Sequence, residues 1–245
     1  MRKTWLPFFA CFGFLFLLLE HQASAGDFQG KLVLNPSFIQ TLEKEAEASD
    51  NSVDFYWNEP NGILSVAPPT VDFPMDMAVV LVPPSPTVAP PDELVTVLIK
   101  NADLEKDVIV VHKGTNVRFR NEEPFVHELF SPQIPDFKPE MQSTNAVRQV
   151  TFDNLGIFEI RCKRMPHFLS YVVVVATPFV AKLTEQGEFS FTNLTPGEYT
   201  LQVFYQGKWI HELKVNVEDK KTGPITVELK SPQGPPVEEQ DKGKV

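Results

Sequence analysis

Strand-length runs of β-branched and aromatic residues recur through the middle of the chain. In several of them apolar and polar residues alternate, so that Val117 and Phe119 face one way while Arg118 and Arg120 face the other. A period of two is typical of β-strands with one buried face. By the same alternation, Cys162 points inward at the end of its strand. These runs cover residues 94–100, 108–111, 116–120, 148–152, 157–162 and 171–176.

Other patterns lie on either side of this middle part. Residues 77–82, MAVVLV, are continuously apolar, which predicts a strand buried on both faces. From residue 178 onwards, alternating runs are separated by turn residues, which predicts a series of β-hairpins with tight turns at 194–197 and 206–207. Residues 36–49 alone have a helical period, with an apolar face opposite acidic residues.

The sequence therefore predicts an all-β protein, and its 22 prolines fit an architecture with many turns. A proline-rich stretch at 83–92 reads as a stiff, extended connector and a domain boundary. The charged, proline-rich end of the chain has no apolar period and is predicted to be disordered. The predicted parts are residues 1–25, 26–92, 93–176, 177–230 and the tail 231–245.

Residues 1–25 have the features of a secretory signal peptide. Two basic residues precede a run of apolar residues, and small residues stand where a signal peptidase cuts, after Ala25. The segment is cleaved or is kept as an anchor, and both alternatives stay open. Removal of the signal takes Cys11 away and leaves Cys162 as a lone thiol, so no internal disulfide is expected. The protein is predicted to be secreted or periplasmic, with no stable membrane insertion after cleavage.

The composition argues against several kinds of partner and activity. A formal net charge of −10 is unfavourable for binding nucleic acid or anionic lipid. The chain contains no Gly-x-Ser-x-Gly elbow, phosphate-binding glycine loop, HExxH motif or Cys-x-x-Cys pair. We therefore expect a protein that is not an enzyme and that has no catalytic residues.

The hairpin region resembles the β-sandwich modules called carboxypeptidase-regulatory-like, or transthyretin-like. Alternating apolar residues fill the interior of such a module, and a Pro-Gly pair reverses the chain. The resemblance implies a packing or adhesion unit, here split into residues 26–92 and 177–230 around an insert. The matching residues are Gly187, Phe189, Phe191, Leu194, Pro196, Gly197, Tyr199, Leu201 and Val203.

The insert resembles the cupredoxins, the plastocyanin and azurin superfamily, and within it the exported proteins described as methylamine-utilisation or plastocyanin-like. The resemblance implies a Greek-key barrel, either inserted in or joined to the sandwich. The matching residues are Val110, Val111, Gly114, Thr115, Val117, Phe119, Asn121, Pro124, His127, Phe130, Ser131, Val150, Phe152, Gly156, Cys162, Pro166 and residues 171–174.

The cupredoxin resemblance implies one copper ion held by two imidazoles, a thiolate and a weak axial sulfur. His127 and Cys162 match the upstream histidine and the thiolate. At three other positions this sequence differs from the cupredoxin pattern. The family would have histidine at the position of Met165, methionine at that of Phe168 and asparagine at that of Glu128. His167 has the spacing that some cupredoxins use for their second histidine. The expected ligands are thus His127, Cys162 and His167, with Met165 as the weak ligand.

Each of these residues also has an ordinary structural interpretation. Cys162 is otherwise a small buried residue, and Met165 fills a gap in the core. His127 and His167 are otherwise loop residues in solvent. Two functions follow from these alternatives. The protein binds copper and transfers electrons or carries copper to a protein partner, or it is a degenerate cupredoxin that serves without metal as a binding or structural module of the cell envelope.

Overall fold

The computed structural model describes residues 26–50, 70–85, 87–218 and 222–234. For residues 47–50 it describes the backbone only. The predicted signal peptide and most of the predicted tail lie outside these ranges. The described residues contain fifteen strands and two helices, which confirms the all-β class. The elements are β1 Gly26–Leu34, α1 Pro36–Asp50, α2 Phe73–Asp76, β2 Met77–Val82, β3 Val95–Lys100, β4 Asp103–Leu104, β5 Val108–His112, β6 Thr115–Asn121, β7 Leu129–Phe130, β8 Val147–Phe152, β9 Gly156–Cys162, β10 Met165–Val175, β11 Phe179–Ala181, β12 Glu188–Leu194, β13 Gly197–Tyr205, β14 Lys208–Val217 and β15 Thr222–Leu229.

The strands form two pairs of sheets. Strands from both ends of the described chain share two sheets, ordered β12-β1-β15 and β11-β2-β13-β14, which we call the terminal sheets. Strands β3 to β10 form the other two, ordered β5-β10-β9-β7 and β4-β3-β6-β8, which we call the central sheets. The central strands therefore stand in sequence between β2 and β11, which pair with each other antiparallel.

The hydrophobic pattern accounts for the main elements. In β6, Val117 and Phe119 are fully buried while the arginines between and after them face outward, as the alternation predicts. Strand β2 is buried along almost its whole length, as its continuous apolarity predicts. The predicted helix is present as α1, and Phe38 and Leu42 bury its apolar face. The hairpin turn at Gln206 and Gly207 places both residues at positive φ, the backbone of a tight turn that matches the strand twist.

Each pair of sheets encloses its own apolar core, and a third cluster joins the pairs. Phe28, Leu81 and Leu201 lie in the core of the terminal sheets, and Phe119, Ile160 and Phe168 lie in that of the central sheets. The third cluster consists of Ala78, Val80 and Phe204 from the terminal sheets with Val108, Val173 and Val175 from the central sheets. One face of β2 therefore packs against the central sheets, and one face of β10 packs against the terminal sheets. This packing explains why both strands are apolar on both faces.

The proline-rich connector is held against the central sheets. The Ala89 amide donates to the carbonyl of Ala176 at 2.9 Å. The Asp92 carboxylate accepts from the backbone amide of His112 at 2.9 Å and contacts its Nδ1 at 2.7 Å. The side chain of His112 is only 16% exposed, because the connector covers it.

Within the described ranges, the two helices are too short and too polar to pass through a bilayer.

Candidate metal centre

Cys162 stands at the end of β9, between two cross-strand neighbours. It pairs with Leu129 of β7 on one side and with Met165, the first residue of β10, on the other. Directly opposed residues in antiparallel strands present their side chains on the same face, with Cβ atoms about 5 Å apart. The Met165 side chain therefore lies beside the thiol, where it is half-buried and packs against the central core.

His127 reaches the same place from the loop between β6 and β7. Two backbone hydrogen bonds with Gln142 fix it: its amide donates at 3.1 Å and its carbonyl accepts at 2.8 Å. An isolated bridge therefore anchors the backbone of His127 although the residue lies in a loop. Its side chain is fully buried.

These two segments bring a nitrogen and a sulfur atom together. Nδ1 of His127 lies 3.8 Å from Sγ of Cys162, and the backbone amide of Glu128 donates to the same sulfur at 3.4 Å. Both side chains are buried, Cys162 being 4% exposed. The thiol thus meets one ring nitrogen and one amide hydrogen in an otherwise apolar surrounding.

The other ring nitrogen of His127 meets a buried acid that the sequence analysis did not single out. Nε2 lies 2.8 Å from Oε2 of Glu123, and Oε1 of Glu123 accepts from the amide of Ala102 at 2.9 Å. Asn121 supports this carboxylate, because its Oδ1 accepts from the Glu123 amide at 2.8 Å. The only hint of this contact in the sequence is that Glu123 stands four residues before His127.

Phe168 and His167 take opposite sides of β10. Phe168 is fully buried, and its ring centre lies 6.1 Å from that of His127. His167, next in the alternation, is exposed. Burial raises the pKa of the Asp103 carboxyl, while its hydrogen bonds with the Leu104 amide and with Ser170 act in the opposite direction. The structure therefore brings His127 and Cys162 together, places Met165 opposite Cys162 and leaves His167 exposed, in the stretch where the pairing of β10 with β9 shifts register.

The basic pair beside the cysteine faces away from the thiol. Arg164 donates to the Glu128 carboxylate at 3.2 Å, and the Lys163 amide donates to the Glu128 carbonyl at 3.0 Å. Glu128 itself contacts the sulfur only through its backbone. Its carboxylate is therefore neutralised by Arg164 at the surface, and the side-chain charges of all three residues lie outside the buried pair.

The donor atoms fit a soft metal ion. Metal–nitrogen bonds of about 2.0 Å and metal–sulfur bonds of about 2.3 Å put two ligands of one trigonal ion about 3.7 Å apart, close to the separation of His127 Nδ1 and Cys162 Sγ. Across the part of the chain that is described, no three His, Cys, Asp or Glu residues converge. Met165, the cross-strand neighbour of Cys162, carries a thioether, and an imidazole, a thiolate and a thioether together suit Cu(I).

Solved structures of amicyanin are similar to part of this chain. A Cu(I) form of one amicyanin variant is 20% identical and covers 40% of this chain and 98% of its own, with a TM-score of 0.31. A reduced variant is 21% identical, with coverages of 40% and 98% and a TM-score of 0.32. An oxidised variant is 20% identical, with coverages of 41% and 99% and a TM-score of 0.31. No family model matches the sequence, and no curated protein matches it significantly.

Proposed function

We propose that this protein is a cupredoxin-like copper-binding protein that holds one copper ion through His127, Cys162 and Met165. The approach of Nδ1 of His127 to Sγ of Cys162 carries this proposal. Nδ1 comes from the loop between β6 and β7 and Sγ from the end of β9, and both side chains are buried. The motifs that resemble those of cupredoxins place a histidine and a cysteine at these same two positions.

The donor set favours carriage of copper over electron transfer. Electron transfer is fast when one ligand cage suits both oxidation states, which two imidazoles, a thiolate and a weak thioether achieve in blue-copper sites. Here a thioether stands where the family would have the second imidazole, and thioether and thiolate sulfur prefer Cu(I). We therefore infer that bound Cu(I) is the cargo and that the partner is a protein that gives or receives it.

The experiment is an anaerobic competition titration with a coloured Cu(I) chelator. Wild-type protein should bind one equivalent, and Cys162→Ala and Met165→Leu should each weaken binding by more than about tenfold, or about 1.4 kcal/mol. Met141→Leu is the matched control, because Met141 is 70% exposed. His167→Ala is the second control and should bind like the wild type. A wild-type protein that retains no copper in either oxidation state would overturn the proposal. Unchanged binding in Met165→Leu would overturn the assignment of Met165, and loss of copper in His167→Ala would overturn the exclusion of His167.

Phe168 favours a second candidate, a cupredoxin-like domain that works without metal. Its fully buried ring packs beside His127, at the position where the family would have a methionine ligand. Glu123 and Cys162 already provide partners for both nitrogens of His127. If this second function is correct, the loop after Cys162 keeps the shape of a ligand loop without binding a metal. The domain then serves as a binding or structural module of the cell envelope. The titration above separates the two functions.

The remaining features of the proposal rest on sequence. The signal-like residues 1–25 support an exported, secreted or periplasmic protein. The hairpin motifs from Gly187 to Val203 support a transthyretin-like sandwich formed by residues 26–92 and 177–230 around the cupredoxin-like part at 93–176. We propose no catalytic activity, and the acidic charge argues against a nucleic-acid partner.

A further inference from the structure

Both ring nitrogens of His127 have a polar partner, and the two partners differ in kind. Nε2 faces a carboxylate oxygen of Glu123 at 2.8 Å, and Nδ1 faces the sulfur of Cys162 at 3.8 Å. A neutral imidazole has one nitrogen that donates and one that accepts. Which nitrogen carries the proton therefore decides whether Nδ1 offers the sulfur side a lone pair or an N–H group.

Three segments of the chain fix the Glu123 carboxylate. Oε1 accepts from the Ala102 amide in the turn between β3 and β4, and Oε2 contacts His127. The backbone of Glu123 is held by the Asn121 side chain, whose amide nitrogen also donates to the carbonyls of Phe125 and Gln142 at 2.7 and 2.9 Å. Glu123 is itself only 9% exposed. Each carboxylate oxygen thus has one polar partner, the Ala102 amide for Oε1 and the His127 ring for Oε2.

We propose that Glu123 is a positioning residue that keeps the proton of His127 on Nε2 and leaves the Nδ1 lone pair directed at Cys162. A metal-ligating histidine typically donates its other N–H to a carboxylate, which fixes the tautomer and the ring orientation. The importance of this lone pair for copper rests on the proposed function, whereas the tautomer itself is a property of the metal-free protein.

Glu123→Gln tests the role of the carboxylate with little change of shape. The amide of glutamine has one oxygen and one NH₂ group, and the Ala102 N–H needs the oxygen. The NH₂ group then faces Nε2, which must accept, so the proton of the imidazole moves to Nδ1. Its N–H group then points at Sγ of Cys162. The matched control is Glu122→Gln, because Glu122 is the adjacent acid and pairs at the surface with Lys100 at 3.3 Å.

The direct measurement is a long-range ¹H–¹⁵N correlation spectrum of the histidines in metal-free protein, with the His127 signals assigned from His127→Gln. Wild-type protein and Glu122→Gln should show the Nε2–H tautomer, and Glu123→Gln should show the Nδ1–H tautomer. The Nδ1–H tautomer in the wild type would overturn the proposal without any variant. An unchanged tautomer in Glu123→Gln would also overturn it.

A second measurement links this role to copper. If the proposed function holds, Glu123→Gln should weaken Cu(I) binding by about 10- to 100-fold, the usual effect of losing such a partner, while Glu122→Gln should not. The wild-type protein could bind no copper and still show the Nε2–H tautomer, with the proton moving to Nδ1 in Glu123→Gln. That result would contradict the proposed function and support the positioning role. Copper binding that is unchanged in Glu123→Gln would contradict the positioning role alone.

Discussion

Nδ1 of His127 lies 3.8 Å from Sγ of Cys162, although 35 positions separate the two residues in the chain. The contact exists because β7, which follows His127, pairs with the end of β9, where Leu129 stands opposite Cys162. The two polar side chains are therefore brought together by strand pairing and buried by the core that surrounds them.

Replacing two residues of the loop should change the preferred oxidation state of copper. In Met165→His with Phe168→Met, the loop would carry the two imidazoles, thiolate and weak thioether that the cupredoxin pattern has. We expect Cu(II) to give an intense visible absorption from thiolate-to-copper charge transfer in this double variant. Wild-type protein and the two single variants are the controls, and a colourless double variant would show that the frame is not that of a cupredoxin.

The junction between the terminal and central sheets should contribute strongly to stability. Phe204 is fully buried there and makes edge-to-face contacts with Tyr171 at 5.8 Å and Trp209 at 5.5 Å between ring centres. Phe204→Ala should lower the free energy of unfolding by about 3–5 kcal/mol, because it removes a large side chain from a filled core. Denaturant unfolding checks this value.

The control for Phe204→Ala is Phe125→Ala, because the Phe125 side chain is 54% exposed. Its free energy of unfolding should change by less than about 0.5 kcal/mol. A similar loss in both variants would show that the junction is not specifically stabilising.

Asp107 should make the protein more stable in mild acid. Burial, together with the negative charges of Asp76 and Asp103, raises the pKa of its carboxyl from 3.8 to about 6. A raised folded-state pKa means that the folded protein binds the proton more tightly than the unfolded chain does. The resulting stability is fully present below the unfolded value and is lost as the pH rises through about 6.

Asp107→Asn mimics the protonated form and isolates this effect. At pH 7 it should raise the free energy of unfolding by about 1 kcal/mol, a value reduced because the group is partly exposed and solvent screens its charges. At pH near 4 the gain should vanish. Asp136→Asn, at an exposed acid, should show no such pH dependence. A gain that is the same at both pH values would contradict the assignment to the Asp107 carboxyl.

The local patterns of apolar and polar residues were sufficient to predict the class of fold. Alternation predicted the buried residues of β6 and the inward direction of Cys162, and continuous apolarity predicted β2. These features depend on the alternation of apolar and polar residues along one strand, which can be read directly from the sequence. The position of His167 was harder to predict, because the pairing of β10 with β9 shifts register between Met165 and Leu169, so that simple alternation does not hold there.

The polar partners of the site were not predictable in the same way. The link from Ala102 through Glu123 to His127 depends on where the β3–β4 turn lies relative to the loop after β6. The cover that the connector gives His112 depends similarly on Asp92, twenty residues earlier. Such contacts arise from the packing of distant segments, so the period of a single strand carries no information about them.

X-ray absorption at the copper edge of the Cu(I)-loaded protein tests the central claim most directly, because it counts the sulfur and nitrogen neighbours of the metal. We predict two sulfur ligands and one nitrogen ligand, from Cys162, Met165 and His127, and one sulfur fewer in Met165→Leu. A copper shell of nitrogen and oxygen alone, or a shell that is unchanged in both Met165→Leu and Cys162→Ala, would contradict the account.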